Sequence, residues 1–480
     1  MRMYKRLAGM QLLVVLGLSF LTLSSSCKKE TIDPDPYEDE VVGPLENPIS
    51  KTAFYVAPPT ATPAGNDSNP GTYDKPWATW EKAFNSSAVQ PGDTVYFRGG
   101  VYYHTQTEGG YGYDASRSGT EGNYVAYLNY PGERPVLDCS TIVPRGNINI
   151  PVTLRRIHHV KFRGLTIRNA WQADGEDEVV TWIISGSDHI IVENCTVHDT
   201  HGIGFKADEC DELYYINCDA YHNCDYHTTV PASNPMPGND GTGFQDFNWN
   251  RTDARVYYIN CRAWNNGDQG FSSGSVGYTE YDGCWSFDNG ILEGDGHGFK
   301  LGWIETVTPI LLNRLYKNCI AVNNRQNGFT TNDVGYDCGS MNLFNNTAYH
   351  NGYDYETGNT GYGFYIDNTR DSDARELLRV LKNNISYDNH AGHVRLGSGA
   401  LYTHEYNSWD NPPGVSVSAD DFQSLDFTLL SAPRKDDGSL PESKFLRLSS
   451  NSDLRDKGTT STGLPYSGTA PDLGAYESGE

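Results

Sequence analysis

The sequence predicts an all-β protein, a single long parallel β-helix solenoid with an N-terminal capping helix, and three observations carry that prediction. First, seven segments repeat one pattern of Asn, a small residue and a terminal Asn: 194–200 (NCTVHDT), 217–223 (NCDAYHN), 260–266 (NCRAWNN), 283–289 (GCWSFDN), 318–324 (NCIAVNN), 345–351 (NNTAYHN) and 383–389 (NNISYDN). Second, each is followed by a Gly-Phe step or a relative of it: Gly204-Phe205, Gly243-Phe244, Gly270-Phe271, Gly298-Phe299, Gly328-Phe329, Gly363-Phe364 and His393-Val394. Third, 50 Gly, 32 Tyr and only 37% hydrophobic residues make a turn-rich β composition.

The second position of the pattern recurs at intervals of 23, 43, 23, 35, 27 and 38 residues, so a basic coil of 23 carries insertions. A unit this short cannot bury its own apolar face and must stack on its neighbours. Short β-branched or aromatic runs, such as 213–216 (LYYI) and 255–259 (RVYYI), bounded by Asn, Asp and Gly, are strands and tight bends. Leucine-rich repeats have similar periods, but no segment here carries their leucine spacing. Stacking brings equivalent positions over one another, so the terminal Asn side chains should bond into a ladder. Cys195, Cys218, Cys261, Cys284 and Cys319 share the second position and should stack inside as small hydrophobes, not as a disulfide framework. The remaining cysteines, Cys139, Cys210, Cys224 and Cys338, show no zinc spacing and no pairing legible from sequence.

Along the chain, residues 1–27 begin with Arg2, Lys5 and Arg6, run apolar from Leu12 to Leu21 and end in Leu-Ser-Ser-Ser-Cys. The apolar run is too short for a stable membrane span and reads as a signal peptide. Cys27 after small residues resembles the cleavage site of a bacterial lipoprotein, which predicts lipidation there; ordinary secretion is the alternative. Residues 28–51 are acidic and Pro-rich, a flexible linker. The β-helix domain is expected over 52–480. It should open with one strand and a Gly/Asn/Pro loop, followed by a helix over 76–89 with Trp77, Trp80 and Phe84 at helical spacing, started by Asp74 and Pro76, that covers the first coil. Early coils are expected at 92–101 and 123–137, and regular coils over about 160–396. Insertions at 224–242, 303–313 and 352–362 should wall a binding cleft. The segment 397–480 loses the repeat and looks like a tail packed back along the solenoid.

Net charge is −25, and removing the three N-terminal basic residues leaves −28, which argues against a nucleic-acid partner. One register position is nonetheless cationic in places. The residue after each Gly-Phe step is Lys206, Gln245, Ser272, Lys300, Thr330 and Tyr365, with Arg395 in the last coil. These side chains should form one stripe on the outer face, suited to an extended anionic polymer. Lys300, within 294–302 (GDGHGFKLG), is the candidate for chemistry.

Three stretches resemble polysaccharide lyase family 9, the right-handed parallel β-helix pectate and rhamnogalacturonan lyases. They are 65–84 (GNDSNPGTYDKPWATWEKAF); 260–272 (NCRAWNNGDQGFS) with 294–302; and the ending, which comprises 418–426 (SADDFQSLD), 440–458 (LPESKFLRLSSNSDLRDKG) and 463–477 (GLPYSGTAPDLGAYE). The likeness spans roughly 52–477. It implies a right-handed β-helix, Lys300 as Brønsted base, and calcium bound by aspartates of two preceding coils. There the sequence departs from the family pattern: Asp268 is kept, but Gln269 and Ser272 stand where aspartates are expected. In the earlier coil Asp240 matches Asp268 only if one extra residue precedes Gly-Phe; otherwise Gly241 and Thr242 take the places of Asp268 and Gln269. Asp240 and Asp268 are the candidate metal ligands. Either Asp225, Asp240 or Asp246 compensates for the missing carboxylates, or the metal site is weak or absent.

β-Elimination removes the C5 proton of a uronic acid and expels the oxygen at C4, so the lysine must be neutral and a cation on the sugar carboxylate helps. Lys206, Arg262 and Arg395 are the candidates for that field and for binding the polymer. His297 reads as a structural histidine and Asp295 as a turn residue. The expected substrate is an acidic pectic polysaccharide, pectate or rhamnogalacturonan I, acted on by an exported monomer that meets the membrane only through a lipid at Cys27, at the bacterial outer membrane or cell surface. Two other functions compete: a β-helix glycoside hydrolase, which needs paired carboxylates that the stripe lacks, and a non-catalytic carbohydrate-binding or adhesive solenoid.

Overall fold

The structure is a computed structural model that describes residues 51–479 except 107, 109, 145–148, 174–178, 230–235, 303–311, 332–339, 354–360, 367–377, 398–400, 411 and 413. The leader, Cys27, most of the linker and Cys338 lie outside the described residues.

The coils form three parallel sheets. Among the described residues the first has twelve strands, from Ala53–Val56 to Leu401–Glu405; the second has ten, from Tyr111–Tyr113 to Gly392–Leu396; the third has ten, from Gly100–Tyr103 to Ile385–Tyr387. A representative coil runs through Gly202–Asp208 of the second sheet, Asp211–Ile216 of the first and Asp219–Asn223 of the third, each paired in parallel with its counterpart one coil on.

The sequence pattern follows from the bends of this coil. Its first position is left-handed: Asn194, Asn217, Asn260, Asn318, Asn345 and Asn383 have φ between 51 and 58°, and the exception, Gly283, has φ 63°. Its sixth position is left-handed too, in Asp199, His222, Asn265, Asp288, Asn323, His350 and Asp388. Asn, Asp and Gly tolerate this region best, so residue choice at both corners is dictated by backbone sterics. The same rule exposes coils that the pattern misses. Gly164 and Asn169 are the corners of an earlier coil with Leu165 in the cysteine place, and Tyr406 with Asn407 begins a later one. Coils therefore extend past the C-terminal end of the expected 160–396 range.

Inside, three ladders lock the register. Asn223, Asn266, Asn289, Asn324, Asn351 and Asn389 pass side-chain amide hydrogen bonds from one to the next, each Nδ2 donating to the following Oδ1 at 2.8–3.0 Å. The buried cysteines stack as expected: the Sγ atoms of Cys218, Cys261, Cys284 and Cys319 lie 3.3–3.4 Å from carbonyl oxygens of the preceding coil. All eight described cysteines are free thiols. Where the cysteines end, Asn346, Asn384 and Asn407 continue the column with their own amide ladder. Finally Phe205, Phe244, Phe271, Phe299, Phe329 and Phe364 stack with centroids 4.8–5.0 Å apart and planes within 6°. Each buried phenyl contributes about 1.5–3 kcal/mol by leaving water.

The helix is shorter than expected, Trp80–Asn85, and begins at Thr79, whose hydroxyl accepts the Lys82 amide. Residues around Trp77 are extended instead, because Trp77 pairs with the first strand through Tyr55 and Ala57. Trp80 and Phe84 pack on the rings of Phe97, Tyr102, Tyr127 and Phe162 in the first rungs.

The C-terminal tail does pack back. Leu430, Phe445, Leu446, Leu448, Leu454 and Leu473 lie on an outer apolar strip of the third sheet that includes Trp264, Trp285, Phe287, Ile320 and Val322. Arg262 belongs to this clamp, which corrects its assignment to the polymer. It is 2% exposed, forms a two-bonded pair with Asp219, and donates to the carbonyls of Leu430 and Ala432. Arg434 of the tail completes the pair on Asp219. The physical reason is register: Arg262 follows the first corner of its coil and so lies on the third sheet, whereas the cationic stripe lies on the second.

Candidate active site

A strand with Phe inward must turn its next residue outward. The stacked phenylalanines therefore set the stripe, and the pairing places Lys206, Gln245, Ser272, Lys300, Thr330, Tyr365 and Arg395 on successive rungs of the second sheet, as the sequence register predicts. Lys300 lies on the two-residue strand Phe299–Lys300, with Phe299 wholly buried. Its neighbours Ser272 and Thr330 are short, so its amine is the longest group over three rungs.

The described ends of the insertions flank this sheet from both edges. Those at 224–242 and 352–362 come just before second-sheet strands, whereas 303–313 follows Lys300's own strand. Most of this last insertion lies outside the described residues.

Beside Lys300 runs the loop 290–296. Arg325 donates to the carbonyls of Leu292 and Gly294 and pins it. Gly296 adopts φ 70°, and a Cβ on Gly294 would come 2.0 Å from the Gly267 carbonyl oxygen, so the Gly-Asp-Gly of the motif is required by backbone contact. The loop delivers Asp295, whose Oδ2 lies 3.3 Å from Lys300 Nζ, with the lysine side chain 15% exposed. Asp295 is thus more than a turn residue. Its place five residues before Lys300, between two glycines, was the available signal, but spacing alone gave no direction to the side chain.

Asp268 lies next to this pair and accepts the Asp295 amide at 3.0 Å. Burial first, then the Asp295 charge, push its carboxyl well above the ordinary range; Lys300 opposes the rise and Asp240 adds to it. Asp295 shows the reverse balance. Burial disfavours its charge, but His297 and Lys300 outweigh that and hold its carboxyl below the ordinary value. His297 is buried, and its Nδ1 accepts the Asn327 amide, in keeping with a structural histidine.

The register resolves the open alignment. Phe244 pairs with Phe271, so Gly241 stands level with Asp268 and Thr242 with Gln269. Asp240 lies one residue earlier and donates its amide to Asp225, yet its charge reaches Asp268. Asp246 is 1% exposed and faces the interior, where Ser273, Thr279 and Tyr281 donate to it. Asp225 is buried, and its carboxylate accepts the Thr228 hydroxyl and the Asp240 amide. Asp246, turned into the core, does not compensate for a missing ligand.

For calcium, what remains is Asp268 with Asp240 nearby and Asp295 between them and Lys300. Hard carboxylate oxygens, crowded enough to drive one carboxyl up, suit a divalent cation. Gln269 fits as a neutral neighbour: its Oε1 accepts the Thr242 hydroxyl and its Nε2 is buried without a partner, so turning the amide over would offer an oxygen instead. Among the described residues, the His, Cys and carboxylate groups whose ligand atoms converge in threes are confined to His159, Asp188 and His189, on the first sheet and away from Lys300. The cleft set is therefore a loose one.

A family model described as Pel9A-like, right handed beta helix region matches residues 55–407. Pectate lyase L of Dickeya dadantii (strain 3937) is 30% identical over 450 residues, covering 89% of this chain and 91% of the relative. Pectate lyase L of Paenibacillus polymyxa (strain SC2) is 28% identical over 484 residues, covering 93% and 95%. The solved structure of pectate lyase Pel9A superposes with a TM-score of 0.69 at 28% identity over 89% of this chain and 96% of that one. A rhamnogalacturonan lyase structure gives a TM-score of 0.69 at 26% identity, over 83% and 97%. With its three-sheet coil, its outward stripe and a family match across most of its length, this chain belongs to the Pel9A-like right-handed β-helix family.

Proposed function

We propose that the protein is an exported polysaccharide lyase that cleaves an acidic pectic polymer, pectate or rhamnogalacturonan I, by β-elimination with Lys300 as the base. The observation that carries the reading is the outward amine of Lys300 on the second sheet, beside a carboxylate and flanked by short neutral side chains. The pectate lyase relatives and the two lyase structures support the reaction class.

In this mechanism the polymer lies along the stripe with one uronate over Lys300. Neutral Nζ takes the C5 proton, the C5–H electron pair forms the C4–C5 double bond, and the C4–O bond breaks. The glycosidic oxygen leaves with the C4–O bonding pair and is protonated by solvent. Ser272 and Thr330 leave room for the sugar, and Arg325 keeps the Asp295 loop in place. Asp295 holds the amine in position but favours its charged form, so it must be offset before Lys300 can accept a proton. Asp268 and Asp240 are proposed to hold calcium, which when bound would neutralise the substrate carboxylate and the enzyme's own acids. No pair of carboxylates on the stripe supports hydrolysis. We further propose export through residues 1–27 with a lipid on Cys27.

Four outcomes check this reading. Lys300→Ala should abolish the unsaturated, ultraviolet-absorbing product on pectate with no change in the circular dichroism spectrum; a variant that keeps most of its activity removes Lys300 from the chemistry. Asp295→Asn should move the acid limb of the kcat/KM profile to lower pH by about one unit or more, because the ammonium form loses its partner; an unmoved or upward-moved limb rules out electrostatic coupling. Calcium should raise the melting temperature of the wild type, and Asp268→Asn should remove that increment; equal increments in both proteins put the ion elsewhere. Labelled palmitate should enter the wild-type chain in the producing cell and not the Cys27→Ser variant, and label retained in the variant would rule out Cys27 as the anchor.

A further inference from the structure

Three rungs to either side of Lys300, the same stripe carries another cation, and each of the two is seated on an aromatic ring. Going back, Lys300 pairs with Ser272, Ser272 with Gln245 and Gln245 with Lys206; going forward, Lys300 pairs with Thr330, Thr330 with Tyr365 and Tyr365 with Arg395. The Lys206 ammonium lies 5.3 Å from the centre of the Phe247 ring, and Phe247 stacks on Trp249 at 5.4 Å, with Trp249 40% exposed. The Arg395 guanidinium lies 4.9 Å over Tyr365, which stacks beside Tyr362 at 5.9 Å. Rungs are about 4.8 Å apart, so each cation stands about 14 Å from the base. The positions between are Gln, Ser, Thr and Tyr, none charged.

The spacing has a chemical meaning for a polymer laid along the solenoid. One pyranose in a linear chain advances by about the height of one rung, so the cations meet the third sugar on each side of the reacting one. A chain twisting with threefold screw symmetry returns the same face to the protein at every third sugar. If every sugar is a uronate, a carboxylate then faces each cation. If uronate alternates with a neutral sugar, the third sugar on either side of a reacting uronate is neutral, and both cations face no charge. The rings beneath the cations hold them in place and exclude water from one side, which strengthens a contact with carboxylate.

We propose that Lys206 on Phe247 and Arg395 on Tyr365 form two outlying subsites for uronate carboxylates, and that their three-rung spacing selects an unbroken run of uronic acids over a chain in which uronate alternates with neutral sugar. The proposal rests on Lys300 marking the cleavage point. It makes Lys206 and Arg395 specificity-determining residues for long substrates, with no part in proton transfer.

The test uses oligogalacturonates of three and seven residues and an alternating rhamnose–galacturonate oligomer of the longer length. Two readouts are taken: kcat/KM from the absorbance of the unsaturated product, and calorimetric affinity for the Lys300→Ala protein, alone and combined with each further variant. The seven-residue uronate should be preferred. Lys206→Ala and Arg395→Ala should each lower its kcat/KM and its affinity about tenfold, against less than about twofold for the three-residue chain, while Lys206→Arg keeps most of the preference. The alternating oligomer should be at least about tenfold poorer than the uronate of equal length. Equal losses on both lengths, no loss on the longer one, or equal handling of the alternating oligomer would overturn the subsites. Absence of unsaturated product from every oligomer would overturn the base assignment alone, since the calorimetric comparison still reads the subsites; product formed without any length effect would overturn the subsites alone.

Discussion

The column of stacked phenylalanines is the constraint on which the rest depends. Six phenyl rings, one per coil, lie face over face inside the solenoid, and an aromatic contact of this kind adds about 0.5–1.5 kcal/mol to simple burial. Because side chains alternate across a strand, a slip of one residue would turn each phenyl to solvent and each stripe residue into the core. The apolar stack thus fixes where Lys300 points, although no phenylalanine touches the site. The asparagine ladder repeats the lock at the corner leading into the second sheet, since a buried amide that loses its partner costs about 1–3 kcal/mol.

On this scaffold the site is a balance of charges. In a protein with a net charge of −25, Lys300 stands on the outer face of the second sheet with Asp295, Asp268 and Asp240 gathered beside it. Asp295 stays ionised against burial because His297 and Lys300 favour its charge, while Asp268 beside it is driven toward the neutral form. Lys300 stands 3.3 Å from Asp295, and its charge opposes the rise at Asp268. An amine held by a carboxylate keeps its charged form favoured until that carboxylate is taken up by another cation.

The outer faces of two sheets do different work. Asp219 with Arg262 and Arg434 fastens the tail over the third sheet, closing an apolar strip that would otherwise be exposed over several coils. The second sheet keeps its outer face for the stripe. The same repeat thereby provides a covered face and a working face on one solenoid.

The sequence by itself determined the parallel coil, the corner residues, the inward cysteines and asparagines, and the stripe order from Lys206 to Arg395. All of these follow from local rules, namely alternation along a strand, left-handed corners and stacking of like on like, and such rules repeat visibly in the chain. Tertiary structure alone decided that Arg262 belongs to the tail, that Asp246 faces inward, that Asp240 is out of register with Asp268 and that Asp295 reaches Lys300. In each case the deciding partner is distant in sequence or the side chain's direction is set by a non-repeating loop. A periodic pattern specifies which face a residue occupies, while the charge it meets there depends on what the rest of the chain lays against that face.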